Sequence, residues 1–488
     1  TIACDVAARW NKLNGKEVFF LTGTDEHGRK IGQAAEKNNK PVKVFVDELI
    51  PKFKEAWKKL NIDYSRFVRT TEPGHYAVVK ELLNRSYKKG DIYKGKYEGN
   101  YCTGCEAYYS DKELENGCCP IHKTKAEWLV EETYFFKLSS YRDALLELYE
   151  KNPLFIQPNT RMNEMKNRLK EGIQDLSISR TSFSWGIPLP FDEKHVTYVW
   201  FDALANYLTG IDWPDGKNSS FWPALHFVGK DILWFHSVIW PAMLLSAGIE
   251  TPKAVFAHGW WTFDKEKISK SRGKVINVDE LISIAGVDAA RYFLLRETTF
   301  GQDGDFSSEA LIKRKDSDLA NELGNLLSRT ITMCEKYCEG RVPVPGKQDE
   351  EDKVSGNTAV IVCEETTACM LGHNFSVALT KIWELVKLSN QYVDKSAPWV
   401  LAKEGKTEKL KTVLFNLLES LRITAVLLSP FMPETSLKIL TQIGVQSPES
   451  YLKQGYEKLK VWQTGEFSIK PGTLLQKGVI LFPKEKTK

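Results

Sequence analysis

A doubly wound, parallel α/β domain carrying a cysteine-rich insertion, followed by an all-α helical bundle, is the architecture this sequence predicts. Three observations predict it. Up to about residue 316, short β-branched and aromatic runs alternate with segments of helical period, the pattern of a parallel sheet covered by helices. Between residues 93 and about 177 that alternation lapses, and four of the nine cysteines crowd between Cys102 and Cys119. Beyond residue 316 the strand signal fades and amphipathic helical patterns replace it.

The elements follow in order. "TIACDVAARW" opens the chain in a helical pattern, with Ile2, Val6 and Trp10 on one face. An α/β domain places a strand before such a helix, so a strand and its loop are expected upstream of Thr1. "EVFFLTGTDEHG" (17–28) reads as a buried strand with a polar loop at its carboxyl end. Residues 43–60 repeat Val46, Leu49, Phe53, Trp57 and Leu60 at helical spacing, and 73–90 open with Pro73 and close at Gly90. "ALHFVGKDILWFHSVIW" reads as strand, turn and helix, with Asp231 near the N-cap. "KAVFAHGWW" is a further strand. Ligands of such sheets sit beyond the carboxyl ends of the strands, an edge expected to gather Asp25, Gly229, Asp231, His236 and His258. The late helices are "DLANELGNLLSRTITMCEKY", "NFSVALTKIWELVKLSNQYVDK" and "TEKLKTVLFNLLESLRITAVLLS". "RVPVPGKQDEEDK" after the first of them reads as a linker whose acidic cluster is a solvated loop.

Composition narrows the function classes. Hydrophobic residues make up 42% of the 488 and charged residues 27%, as in an ordinary globular protein with a sizeable core. A net charge of +4 provides no global field for nucleic acid, so any RNA must meet local patches. Nine cysteines in so long a chain do not form a disulfide framework; their clustering points to a metal in a reducing compartment. The longest apolar run, 232–249, is interrupted by His236 and Pro241 and stops at Gly248, which argues for a buried helix rather than a membrane span.

Four constellations carry chemistry. In "YCTGCEAYYSDKELENGCCPIH", Cys102 and Cys105 form C-x-x-C, and Cys119 with His122 forms C-x-x-H. Two such pairs can close one tetrahedral zinc site with no open position, so the zinc is expected to be structural. Cys118 competes with Cys119, but the spacing and Pro120 favour Cys119. Free thiols are the plain alternative. "DKEKISKSRGKV" (264–275) is by itself a basic surface loop. It follows a strand end, however, and Lys267 and Lys270, three residues apart, suit a polyanion better than one carboxylate. "WFDALANY" sets Trp200, Ala203 and Tyr207 on one helical face, either as core or as an apolar pocket kept open at Ala203. Trp399 in "APWVLAK" follows a proline at a helix start; it either packs or stacks on an unpaired base.

Taken in order, "TGTDEHG", "WFDA", "GKDILWFHSVIWPAML", "HGWWTFDKEKISKSRGKVI", "NLLSR" and "APWVLAK" resemble the methionyl-tRNA synthetases, class I aminoacyl-tRNA synthetases with a Rossmann-type catalytic domain. The resemblance covers almost the whole chain. It implies activation of methionine with ATP to methionyl-adenylate, then transfer to tRNA(Met), with Mg2+ accompanying ATP. It implies that Asp25 pairs with the methionine ammonium group, and that Trp200, Ala203, Tyr207, Ile232, Phe235 and His236 line the side-chain pocket. Gly229 and Asp231 are expected at the ATP ribose, and Arg180 at the carboxylate or the phosphates. Lys267 and Lys270 match the signature lysines that act on the triphosphate. Asn325, Arg329 and Trp399 match the anticodon readers, and Cys102, Cys105, Cys119 and His122 match a single-knuckle zinc site.

The resemblance divides the chain into 1–92 (catalytic domain, first part), 93–177 (insertion with the zinc knuckle), 178–264 (catalytic domain, second part), 265–315 (KISKS loop and stem-contact region) and 316–488 (anticodon-binding domain and tail). The family's His-Ile-Gly-His signature is expected before Thr1. Leu204 stands where some relatives have proline. With little sequence beyond the helical bundle, no appended dimerisation domain is read, and a cytoplasmic monomer without membrane attachment is expected. One methyl group shifts binding by only about 1–3 kcal/mol, so homocysteine is expected to be activated to some extent. Two competing readings are a cysteinyl-type synthetase, with zinc in the active site, and a catalytically degenerate tRNA-binding module.

Overall fold

The computed structural model describes residues 1–104, 107–109, 111, 113–263, 266–267 and 277–483. The chain forms two compact units. One comprises Phe19–Lys58 and Asp63–His258; the other comprises Thr1–Val18, Lys59–Ile62 and Gly259–Lys488.

The first unit contains the expected parallel strands. Leu21–Thr24 pairs in parallel with Arg66–Arg69, and the helix Val42–Lys59 makes the crossover between them. Leu225–Gly229 pairs in parallel with Ala254–His258, which pairs in turn with Ile156–Gln157. Gly229 and His258 are partners at the carboxyl ends of their strands. Within 92–136 the described strands pair antiparallel instead. Ile92–Cys102 runs against Glu127–Phe136 from Ile92 opposite Phe136 to Tyr101 opposite Glu127. A continuous core of Phe136, Tyr149, Phe155, Leu204, Trp240 and Leu244 joins the sheets and helices of this unit.

Two local readings change. The helix Val42–Lys59 buries Val46 and Ile50, while Phe53 is 39% exposed, so the buried stripe is narrower than the apolar spacing implies. The apolar run after Gly229 is not one helix. A single turn at Lys230–Ile232 leads into a π-helical segment, Phe235–Ile239, which continues directly into the helix Trp240–Ala247, with Pro241 as that helix's second residue. Asp231 lies in this turn, two residues after its N-cap Gly229, near the cap as expected.

The second unit is mainly helical. Trp261–Phe263 pairs with Glu266–Lys267 and with Gly304–Asp305, and helices follow at Val278–Ala285 and Val287–Arg296. The opening helix Ile2–Leu13 belongs here, with Val6 and Trp10 buried as its periodicity predicts. Asp5 pairs with Arg291 at 2.6 Å, both fully buried, and Arg291 also donates to the carbonyls of Leu60, Pro430 and Phe431. The long helices are Asn325–Tyr337, Glu350–Leu371, Phe375–Ser396 and Thr407–Leu428.

Two expectations about this unit are corrected. The acidic run read as a solvated loop begins the helix Glu350–Leu371. Asp349 and Asp352 form a reciprocal capping box, and the buried Asp352 receives Lys409 at 2.6 Å. Thr407–Leu428, read as amphipathic, is buried on every face from Thr412 onward. Its charges are internally satisfied: Arg422 pairs with Glu419 at 2.8 Å and donates to the carbonyls of Leu459 and Val461.

Candidate active site

The pocket walls come from two short helices and the turn after a strand. Trp200 and Ala203 lie on Val199–Ala203, and Tyr207 on Asn206–Gly210. Ile232, Phe235 and His236 follow the strand Leu225–Gly229. The two groups meet. Trp200 and Phe235 stack with centroids 3.9 Å apart and planes 9° from parallel. Tyr207 Oη lies 2.7 Å from His236 Nε2, and His236 Nδ1 lies 2.9 Å from the Ile232 carbonyl oxygen. A carbonyl only accepts, so Nδ1 carries the proton, Nε2 is the acceptor and the Tyr207 hydroxyl donates to it. Burial pushes His236 down to about 4, so the ring stays neutral at physiological pH. The result is an aromatic and aliphatic surface with one neutral, oriented polar edge. It suits an uncharged, polarizable side chain and would penalise a charged one.

At the strand ends, an added Cβ at Gly229 would stand 2.5 Å from Asp231 Oδ1. Only glycine lets the Asp231 carboxylate fold back over the turn. Asp25 is exposed at the carboxyl end of Leu21–Thr24. Arg180 is buried, donates from Nη1 to Ser177 Oγ at 2.8 Å and to the Ser179 carbonyl at 2.7 Å, and stacks over Tyr198 at 4.7 Å and Tyr101 at 5.7 Å. None of these partners is a pocket residue. Lys270 lies outside the described residues; Lys267 contributes its backbone to the strand Glu266–Lys267.

Sequence reasoning missed the groups beneath this surface. Glu26, next to Asp25, is buried and accepts two bonds from Arg69 at 2.8 Å, one from the Thr24 hydroxyl at 2.6 Å and one from the Thr71 hydroxyl at 2.5 Å. Burial raises its carboxyl, but these donors outweigh burial and hold it below the usual carboxylate range. Asp202, between Trp200 and Ala203, is fully buried and meets His27 Nδ1 at 2.6 Å and His75 Nε2 at 2.7 Å. Burial works against its ionisation too, and the two histidine bonds overcome it. The signal available in the sequence was an acidic residue inside each otherwise apolar or signature segment, "DEH" and "WFDA". Its partners, Arg69 and His75, lie too far along the chain to be read as such.

In the insertion, Cys102, Cys119 and His122 bring their ligand atoms within 4.8 Å of one another. Each sulfur lies 3.9–4.0 Å from His122 Nδ1. Ideal tetrahedral zinc with Zn–S near 2.3 Å and Zn–N near 2.05 Å separates such atoms by ~3.6 Å, so the donor set fits zinc. A Cβ at Gly104 would strike the His122 ring at 2.7 Å, so the first knuckle must carry glycine there. Cys105 lies outside the described residues. In the helical unit, Asn325 and Arg329 occupy successive turns of Asn325–Tyr337. Arg329 pairs with Asp394 at 3.0 Å and lies 6.0 Å from the Trp399 ring, which is 47% exposed on Pro398–Lys403.

Comparison with known proteins decides what this arrangement belongs to. The family model described as "tRNA synthetases class I (M)" matches residues 1–127 and 109–331, and that of the anticodon-binding domain of methionyl tRNA ligase matches 342–479. The methionine–tRNA ligase of Caldanaerobacter subterraneus is 48% identical over 99% of this chain and 75% of its own length. The chain belongs to the methionine–tRNA ligases. The corresponding ligase of Thermotoga maritima is 44% identical over 99% of this chain and 77% of its own length. Among solved structures, Mycobacterium tuberculosis methionyl-tRNA synthetase in complex with methionyl-adenylate matches with a TM-score of 0.94 and 42% identity, covering 99% of this chain and 95% of that one. The protein is therefore an aminoacyl-tRNA synthetase that joins methionine to tRNA at the expense of ATP. The family assignment displaces both the cysteinyl-type reading and the degenerate binding module. Among the described residues, no helix is long and apolar enough to cross a membrane.

Proposed function

We propose the following division of labour for the ligase reaction. Asp25 holds the methionine ammonium group, and Trp200, Ala203, Tyr207, Ile232, Phe235 and His236 enclose the thioether chain. Gly229 and Asp231 hold the ATP ribose. Arg180 orients the substrate carboxylate or the phosphates. One carboxylate oxygen of methionine attacks the α-phosphorus, the bond to the β-phosphate oxygen breaks, and pyrophosphate leaves with its charge met by Lys267 and Lys270; Mg2+ carried with ATP would add to that neutralisation. The terminal ribose hydroxyl of tRNA(Met) then attacks the acyl carbon, loses its proton, and AMP departs. Asn325, Arg329 and Trp399 read the anticodon by hydrogen bonding and stacking, which needs little net charge. Zinc held by Cys102, Cys105, Cys119 and His122 stabilises the knuckle without touching substrate. The enzyme works in the cytoplasm.

The observation that carries this reading is the Tyr207–His236–Ile232 hydrogen-bond chain under the stacked Trp200 and Phe235. A neutral, fixed histidine in an aromatic wall favours a soft, uncharged side chain, as methionine presents. Methionine-dependent ATP–pyrophosphate exchange on the full-length enzyme tests it. Asp25→Ala should raise the methionine KM strongly and leave the ATP KM near its original value. Equal effects on both substrates would sink the assignment of Asp25.

A further inference from the structure

We infer that Asp202 is a positioning residue that sets the spacing between the two halves of methionine recognition, the charged end at Asp25 and the side-chain pocket. The inference rests on the pocket assignment proposed above and adds to it the group that holds its parts in register.

An ionised carboxylate only accepts, so His27 donates from Nδ1 to Asp202 Oδ2 and His75 donates from Nε2 to Asp202 Oδ1, at 2.6 and 2.7 Å. In a ring carrying that one proton, the other nitrogen is an acceptor. Each faces a hydroxyl: Tyr76 Oη lies 3.2 Å from His27 Nε2, and Thr209 Oγ1 lies 2.9 Å from His75 Nδ1 and 3.2 Å from the Ala205 carbonyl oxygen, with the shorter contact to the ring. With the Tyr76 and Thr209 hydroxyls donating to the rings, every ring nitrogen in the chain has a matched partner. All three central side chains are essentially inaccessible to water, so no solvent can substitute for a lost member.

The placement gives the chain its role. His27 lies two residues after Asp25, in the loop beyond the strand Leu21–Thr24. Asp202 lies on the same five-residue helix as Trp200 and Ala203. Thr209 shares a helix with Tyr207. His75 comes from the start of Pro73–Lys88 and is itself part of the core. A single carboxylate thus ties the loop bearing the ammonium partner to both helices bearing the pocket wall. Helices of five residues have little stability of their own, so their position depends on such ties. If the tie loosens, the distance from charge to pocket is no longer specified, and a side chain of another length pays a smaller penalty.

Asp202→Asn keeps the shape and removes one acceptor. The amide NH2 must then face a histidine N–H, and that ring must change tautomer against its hydroxyl partner. The enzyme with Asp202→Asn or His27→Leu should show a methionine KM raised roughly tenfold, the size of effect lost with one charge-assisted hydrogen bond. The ATP KM should stay within about twofold, and preference for methionine over ethionine, one methylene longer, should fall roughly tenfold. His27→Asn, whose amide nitrogen can occupy the place of Nδ1, should recover most of the methionine KM and the discrimination. A merely structural role would instead lower kcat through the active fraction and leave both KM values and the discrimination unchanged; that result overturns the inference. So does His27→Asn behaving like His27→Leu. Should Asp202→Asn fail to fold, the His27 pair decides alone. Asp25→Ala run alongside separates the levels. If it raises the methionine KM while the Asp202 and His27 variants do not, only the positioning role falls. If Asp25→Ala leaves the methionine KM unchanged, the pocket assignment falls and this inference with it.

Discussion

Glu26→Gln should destabilise the catalytic unit by about 2–3 kcal/mol at neutral pH, and the structure gives the reasons. The carboxylate is 3% exposed and takes four donated hydrogen bonds, two of them from Arg69. Breaking a buried ion pair by altering one partner costs about 3–5 kcal/mol. Arg69, however, is 24% exposed and keeps a second partner, Asp47, at 2.6 Å, so part of that cost is relieved by solvent and by the remaining pair. The amide replaces one acceptor with a donor that faces Arg69 or a threonine hydroxyl. For a unit of this size about 2–3 kcal/mol corresponds to a fall in Tm of roughly 4–12 °C.

The sign of the pH dependence follows from the lowered Glu26 carboxyl. Its folded form holds the proton less readily than the unfolded chain, so its contribution is complete above the unfolded value of about 4.3 and is lost as pH falls through the lower, folded value. The gap between wild type and Glu26→Gln should therefore be full at pH 7 and close below about pH 4. Urea unfolding at a series of pH values, followed by hydrogen exchange in the 24–28 loop, measures it. A gap below about 0.5 kcal/mol at pH 7, or one that widens in acid, would refute the reasoning.

Other outcomes can be measured directly. Tyr207→Phe removes the donor to His236 Nε2 and should weaken methionine binding by about 1–3 kcal/mol, the cost of a buried acceptor left unmatched; titration calorimetry with methionine reads it, and unchanged affinity would argue against the oriented edge. Trp399→Ala should cost about 1–3 kcal/mol of tRNA binding if a base stacks there, with adenylate formation unaffected; equal loss in pyrophosphate exchange would point to a folding defect instead. Cys119→Ser should lower bound zinc measured by elemental analysis and destabilise the insertion, while methionine KM stays within about twofold. A specific loss of methionine affinity would place the metal at the substrate.

Local patterns reached far into this molecule. The parallel strands, the helix beginning at Pro73, the knuckle spacing and the choice of Cys119 over Cys118 all rest on neighbours within a few residues, and the observed ligand cluster contains Cys119 and His122. Local patterns failed where a polar side chain is made acceptable by a distant partner. The acidic run near Asp349 looked solvated because Lys409, which meets Asp352, is far away in the chain. Thr407–Leu428 looked amphipathic because its Glu419 and Arg422 satisfy each other and the backbone of residues 459–461 inside the core.

The active site divides the same way. The order of its short motifs, with their aromatic, glycine and lysine residues, was sufficient by itself to indicate the family, the reaction and the residues proposed to meet substrate. Residue identity and spacing carry that information along the chain. Only the tertiary structure decided that Trp200 lies flat on Phe235, that Tyr207 donates to a neutral His236, and that Asp202 is shared by His27 and His75. Those are properties of burial and of pairs brought together from separate segments. A buried charge tolerates burial only through its partners, and the fold, not the spacing, chooses them.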